Sequence, residues 1–172
     1  MQYHIQTTPV WDAFKSNCDC PMCELEKKIN DKNIEIVGLD TMQSAFVNAD
    51  EDMIQQVVYN LINNAINYTG PNKTVRVVQS IKGDVVRVSV IDSGEGISEE
   101  NLPLIWDRYY KVDKVHRRAT VGTGLGLSIV KGVLEAHNAT YGVTSSLGNG
   151  STFWFELKTA DSAEYSAEIV EI

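Results

Sequence analysis

VGTGLGLSIVKG, residues 121–132, places Gly122, Gly124 and Gly126 at the mouth of an apolar stretch. Glycine is the poorest ordinary helix former, yet LGLSIVKGVLEAH beyond it spaces its apolar residues as a helix does, to about His137. Either the glycines make an awkward turn, or something approaches the backbone too closely for any side chain. Backbone N–H groups in a glycine loop entering a helix form an anion nest, which the helix N-terminus reinforces. A G-x-G-x-G pattern alone is a weak signal, so the remaining chain has to decide.

Upstream, Asp50 is placed to cap a helix over EDMIQQVVYNLINNAINYT, in which Met53, Val57, Leu61 and Ala65 recur at helical spacing. The same helix carries Asn60, Asn63, Asn64 and Asn67. Asn60 and Asn64 share a face, and Asn67 and Tyr68 follow one turn on. Such a stripe is a solvated polar face, or a row of carbonyl oxygens suited to a hard cation such as Mg2+ that bridges to phosphates. In VIDSGEGIS, Asp92 ends a strand and Gly94 and Gly96 follow. This is a plain Asp-Ser-Gly turn, or a turn that leaves an acceptor-only carboxylate facing a cleft, matched to an exocyclic amine such as that of adenine.

Around these segments, NIEIVGL and SAFVNA read as strands, and TVRVVQSI and VVRVSVID as a hairpin about the KGD turn. SEENLPLIWDRYY suggests a short capped helix, and KVDKVHRRATV a basic loop. TYGVTSS and STFWFEL close the fold around LGNG. The layout predicts an α+β protein, a two-layer α/β sandwich with a mixed sheet packed against helices on one face.

The chain has 172 residues, 43% hydrophobic and 22% charged, enough for one core. Its net charge of −8 argues against nucleic acid as a partner, since phosphate backbones select basic surfaces. No apolar run is long enough to span a bilayer, and MQYHIQTTPVWD has no signal-peptide pattern. Cys18, Cys20 and Cys23 are odd in number and closely spaced, which speaks against a disulfide framework. Zinc would need a fourth ligand that no nearby Cys or His supplies; unpaired thiols are expected.

In order and spacing, these segments resemble the catalytic, ATP-binding domain of sensor histidine kinases, in the gyrase, Hsp90, histidine kinase and MutL superfamily with its Bergerat fold. NLINNAINYT is similar to the family's N box, DSGEGI to its first glycine box, IWDRYYKVD to its phenylalanine-type box, GTGLGLSIV to its second glycine box and GNGSTFWFEL to its closing motif. The resemblance covers residues 28–158, leaving 1–27 as an N-terminal extension and 159–172 as an acidic tail. It implies ATP and Mg2+ as ligands, with Asn64 coordinating the metal and Asn60 supporting it. In gyrase-like branches the Asn60 position holds a glutamate that activates water; asparagine cannot, which favours phosphoryl transfer to a protein over hydrolysis. Tyr68 would pack on the adenine, Asp92 would bind its 6-amino group, and Gly94, Gly96 and Ile97 would line the base pocket. Thr152 would hold the Asp92 end through a hydrogen bond. Arg108 and Lys111 would reach the terminal phosphates, Gly122, Gly124 and Gly126 would wrap them, and Tyr110, Thr123, Leu125 and Leu127 would join the cofactor-binding residues. Residues 112–121 would form a lid in which Lys114, Arg117 and Arg118 shield phosphate charge, unless that loop is simply solvated. Where the family often has a phosphate-contacting lysine, this chain has Asn67; losing one charge-assisted contact would cost about 1–3 kcal/mol.

The resemblance also implies a phosphoacceptor histidine on a helical hairpin that forms the dimer, and a response regulator downstream. His116 and His137 read as surface or capping residues. His4 has the family's His-x-x-x-Thr-Pro spacing, but Ile5 replaces the acidic residue that should follow it. The expectations are therefore a cytoplasmic, monomeric kinase domain acting on a histidine supplied elsewhere. The alternatives are a nucleotide-binding module without kinase activity and a superfamily ATPase.

Overall fold

The computed structural model describes residues 3–5, 21–43, 45–110 and 124–160. Strand β1 (Tyr3–Ile5) is followed by helix α1 (Pro21–Lys32), β2 (Glu35–Val37) and β3 (Ala45–Val47). Helix α2 (Glu51–Tyr68), the hairpin β4 (Thr74–Lys82) and β5 (Val85–Asp92), helix α3 (Gly126–Ala136), β6 (Thr140–Ser145) and β7 (Ser151–Lys158) complete the order. Five strands form one mixed sheet in the order β2-β4-β5-β7-β6, parallel at β2–β4 and antiparallel elsewhere. β1 and β3 make a separate antiparallel pair that Val47 ties to Thr159.

Strand alternation decides which face the helices cover. Along β7, Ser151, Phe153, Phe155 and Leu157 are buried while Thr152, Trp154 and Glu156 are only half-buried. Val75, Val77, Val86 and Val90 extend the buried face, and Val57, Leu61, Ile62 and Ala65 of α2 with Val130 and Leu134 of α3 close over it. Burying a side chain the size of Phe155 contributes roughly 1.5–3 kcal/mol. The α+β class and the two layers match the expectation.

Local chemistry places α2. Asp50 Oδ1 accepts from the Met53 N–H at 3.0 Å, and Glu51 and Asp52 favour the positive end of the helix. The apolar stripe begins at Ile54 rather than at Met53, which is 46% exposed. His137, at the C-terminus of α3, joins the two helices: its Nε2 accepts from the Asp50 N–H at 3.0 Å, and its Nδ1 lies 2.7 Å from the Val133 carbonyl. A neutral ring protonated at Nδ1 satisfies both contacts.

Two local readings differ. Residues 98–110 form successive turns rather than a helix, because Pro103 lacks an N–H and disfavours the helical region for Leu102. The β3 segment is shorter than SAFVNA and pairs with β1, outside the main sheet.

Candidate active site

The asparagine stripe of α2 faces two neighbours. Near its middle, Asn60 Nδ2 donates to the Gln56 carbonyl at 2.9 Å, and its Oδ1 lies so near α3 that a Cβ at Gly126 would stand 3.2 Å from it. Towards its end, Asn63 and Asn67 accept from Lys28 and Lys32 of α1. Asn64, half-buried between them, makes no side-chain hydrogen bond among the described residues. An uncommitted amide oxygen one turn from Asn60 fits a hard cation that keeps most of its water.

Asp92 closes β5 at 6% exposure. Its Oδ1 accepts from the Gly94 N–H at 2.8 Å, and the Ser151 backbone also donates to the carboxylate. Burial pushes its pKa above the usual aspartate value, and these two hydrogen bonds pull partly back. A carboxylate offers about four acceptor positions, so capacity remains for a ligand donor. The following loop is packed tightly under the C-terminus of α2. A Cβ at Gly94 would meet the Tyr68 carbonyl at 2.0 Å, and Ser93 Oγ bonds to Thr69, Gly70 and Asn72. On the other side, Ile97 N–H donates to Ser145 Oγ at 2.9 Å and Gly148 N–H to the Glu95 carbonyl at 2.7 Å. Tyr68 itself is 60% exposed at the rim.

Thr152 does not hold Asp92. In the β5–β7 register Asp92 pairs with Ser151, and Thr152 pairs with Ile91. Side chains alternate across a sheet, so Thr152 lies on the face away from Asp92. Ser145 and Ser151, linked to each other at 3.0 Å, support that end instead. Only the register distinguishes Ser151 from its neighbour.

The turns after residue 98 anchor through Ile105, which is buried, and Trp106, whose ring meets Tyr141 and Phe153 edge-on. Tyr110 OH donates to Asn101 Oδ1 at 2.6 Å, while Arg108 and Tyr109 are exposed. The Tyr109 N–H donates to the Gly124 carbonyl at 2.9 Å, which joins this segment to the glycine run. Gly124 has φ +74°, and a Cβ there would stand 3.0 Å from Tyr109 Cα. Of the opening glycines, Gly124 is thus required by a neighbour within the protein, while Gly126 packs against the end of the Asn60 side chain. Leu125 precedes α3 without a side-chain cap, so the first N–H groups of α3 are left to another partner. Leu127 packs on the core. Lys111, Gly122, Thr123 and the expected lid, with Lys114, His116, Arg117 and Arg118, lie outside the described residues, as do Cys18 and Cys20; Cys23 falls in α1. His4 sits in a strand, opposite Phe46. Among the described residues no three His, Cys, Asp or Glu side chains cluster as metal ligands.

A family model described as histidine kinase-, DNA gyrase B- and HSP90-like ATPase matches residues 49–161. The chain belongs to this family. A second model, for a family of unknown function, matches residues 1–53. An uncharacterized sensor-like histidine kinase of Rhizobium meliloti is 32% identical over 75% of this chain and 25% of its own length. Sensor protein SrrB of Staphylococcus aureus is 40% identical over 63% of this chain and 18% of its own. The chain therefore spans a quarter or less of these relatives. The nucleotide-free catalytic domain of histidine kinase ThkA superimposes with a TM-score of 0.69 at 29% identity, over 92% of this chain and 95% of that one. Full-length ShkA in complex with AMPPNP gives 0.68 at 26% identity, over 92% of this chain and 32% of that one. Within the ATPase family, the chain carries the histidine kinase type of catalytic domain.

Proposed function

We propose that this domain binds Mg-ATP between α2, the Asp92 loop and the N-terminus of α3, and donates the γ-phosphoryl group to a histidine on a helical hairpin, on another chain or in another part of a longer protein. The observation that carries the reading is the Asp92 carboxylate: buried, held by two backbone N–H groups and still able to accept, beside the uncommitted Asn64 amide. Asp92 accepts from the adenine amine, Gly96 and Ile97 border the base, and Tyr68 offers an exposed ring to stack on it. The first N–H groups of α3, with Gly124, Leu125 and Gly126, face the phosphates. Arg108 and Tyr110 stand on the adjoining segment. Asn64, with Asn60 beside it, would hold Mg2+, which would offset phosphate charge there.

Chemistry at this site is positioning and electrostatics. An imidazole nitrogen forms the P–N bond while the bond from Pγ to the bridging oxygen breaks; ADP leaves with the electron pair and the imidazole releases its proton. Asn60 has no carboxylate to activate water, which supports transfer over hydrolysis. A response regulator then takes the phosphoryl group in the full system. No described helix is long and apolar enough to cross a membrane; use of ATP is the ground for assigning the domain to the cytoplasm.

Mixing the chain with an isolated acceptor hairpin of a related kinase and radiolabelled ATP tests this. Label is expected on the hairpin histidine, with little free phosphate when the hairpin is withheld. Nucleotide binding without transfer would favour a binding module, and steady phosphate release without an acceptor would favour an ATPase.

A further inference from the structure

Lys32, the last residue of α1, makes contacts that the site as described leaves unexplained. Its Nζ donates to Asn67 Oδ1 at 3.1 Å and to the Ile66 carbonyl at 3.3 Å. One turn earlier, Lys28 Nζ donates to Asn63 Oδ1 at 3.3 Å. Two lysines four residues apart on α1 therefore meet two asparagines four residues apart on α2, a match of helical periods. The acceptors of Lys32 are neutral, and it forms no ion pair with a carboxylate among the described residues. Partial desolvation, and then the Lys28 ammonium, lower its pKa, so its surroundings do not compensate its charge.

Bonding to Ile66 alone would be ordinary capping of the last carbonyls of α2. Asn67 gives the contact a second meaning, because it continues the stripe of Asn60 and Asn64. That stripe spans about 10 Å at 1.5 Å per residue. At its Asn60 end stands the uncapped N-terminus of α3, and at its Asn67 end the Lys32 ammonium. Both ends favour negative charge, and Asn64 lies between them. We propose that Lys32 is a phosphate-binding residue whose ammonium, held on the Asn67 side of the stripe, contacts the phosphate tail of the bound nucleotide. This rests on the nucleotide reading above. Lysine suits such a role, because an exposed point charge on a flexible stem can leave neutral acceptors for an anion without breaking a salt bridge.

Calorimetric titration of ADP into wild type, Lys32→Met, and the double variant Lys32→Met/Asn67→Lys tests the proposal. The double variant moves the ammonium from α1 to the Asn67 position of the α2 stripe. Lys32→Met is expected to weaken ADP binding about tenfold, and the double variant to recover most of that loss. Adenosine, titrated at millimolar concentration, should bind all three alike. ADP affinity within twofold of wild type in Lys32→Met would overturn the proposal. So would a loss that the relocated charge fails to restore, since that is the mark of a purely structural lysine. If wild type itself binds no ADP, the nucleotide reading fails first, and that outcome is distinct from either.

Discussion

Asp92→Asn is expected to lose nucleotide binding while leaving the fold as stable as wild type, or more so. The amide can still accept from the Gly94 and Ser151 N–H groups, but its other arm presents a donor where the carboxylate presents only acceptors. Losing a hydrogen bond to a charged acceptor costs about 1.5–3 kcal/mol, or ten- to hundredfold in affinity. Stability moves the other way because burial raises the Asp92 pKa. A group with a raised folded pKa binds its proton more tightly in the folded protein. The stability this contributes is complete below the unfolded value of about 3.9 and is lost as pH rises through the folded value. Asparagine never ionises, so the variant escapes that loss. Its melting temperature should equal or exceed that of wild type near pH 7, with the margin shrinking as pH falls towards 4. A variant that melts well below wild type near pH 7 would show that the charge supports the fold.

Gly96→Ala should be the most damaging single methyl at the site. Gly96 has φ +73°, where an L-residue costs about 1–2 kcal/mol. An added Cβ would also stand 2.0 Å from the Ser146 carbonyl, a backbone atom that yields only if the β6–β7 turn shifts. The combined loss should approach about 3 kcal/mol in denaturant titration. Gly83→Ala separates the two terms: Gly83 has φ +60° in the β4–β5 turn, and nothing lies within 4 Å of its Cβ position. It should cost only the dihedral part. Equal losses in the two variants would mean that the close approach to Ser146 carries no energy.

Much of this site was legible because glycine, asparagine and aspartate at fixed spacing carry chemistry that survives without coordinates. Asn60, Asn64 and Asn67 share a stripe by helical period alone, and Asp92 at a strand end before two glycines announces its turn. What the sequence did not disclose depends on who meets whom across long separations. Gly124 is required by the Tyr109 backbone and Gly126 packs against Asn60, and no local pattern names either partner. Thr152 and Ser151 are adjacent, and only a register decides which of them faces Asp92. The capped helix expected after residue 98 fails at Pro103, a local signal that the apolar spacing around it overrode. β1 went unread because three residues make too short a strand to show alternation. Lys32 was hidden because its meaning lies in the pairing of α1 with α2.

The central claim, that the asparagine stripe and the Asp92 loop hold Mg-ATP, meets its most direct test in calorimetric titration of ATP with and without Mg2+, beside Asn64→Ala. The account predicts that wild type binds ATP more tightly with Mg2+ and that Asn64→Ala erases the difference while keeping the fold. A folded wild-type protein that binds no ATP, or a magnesium effect unchanged in Asn64→Ala, would contradict it.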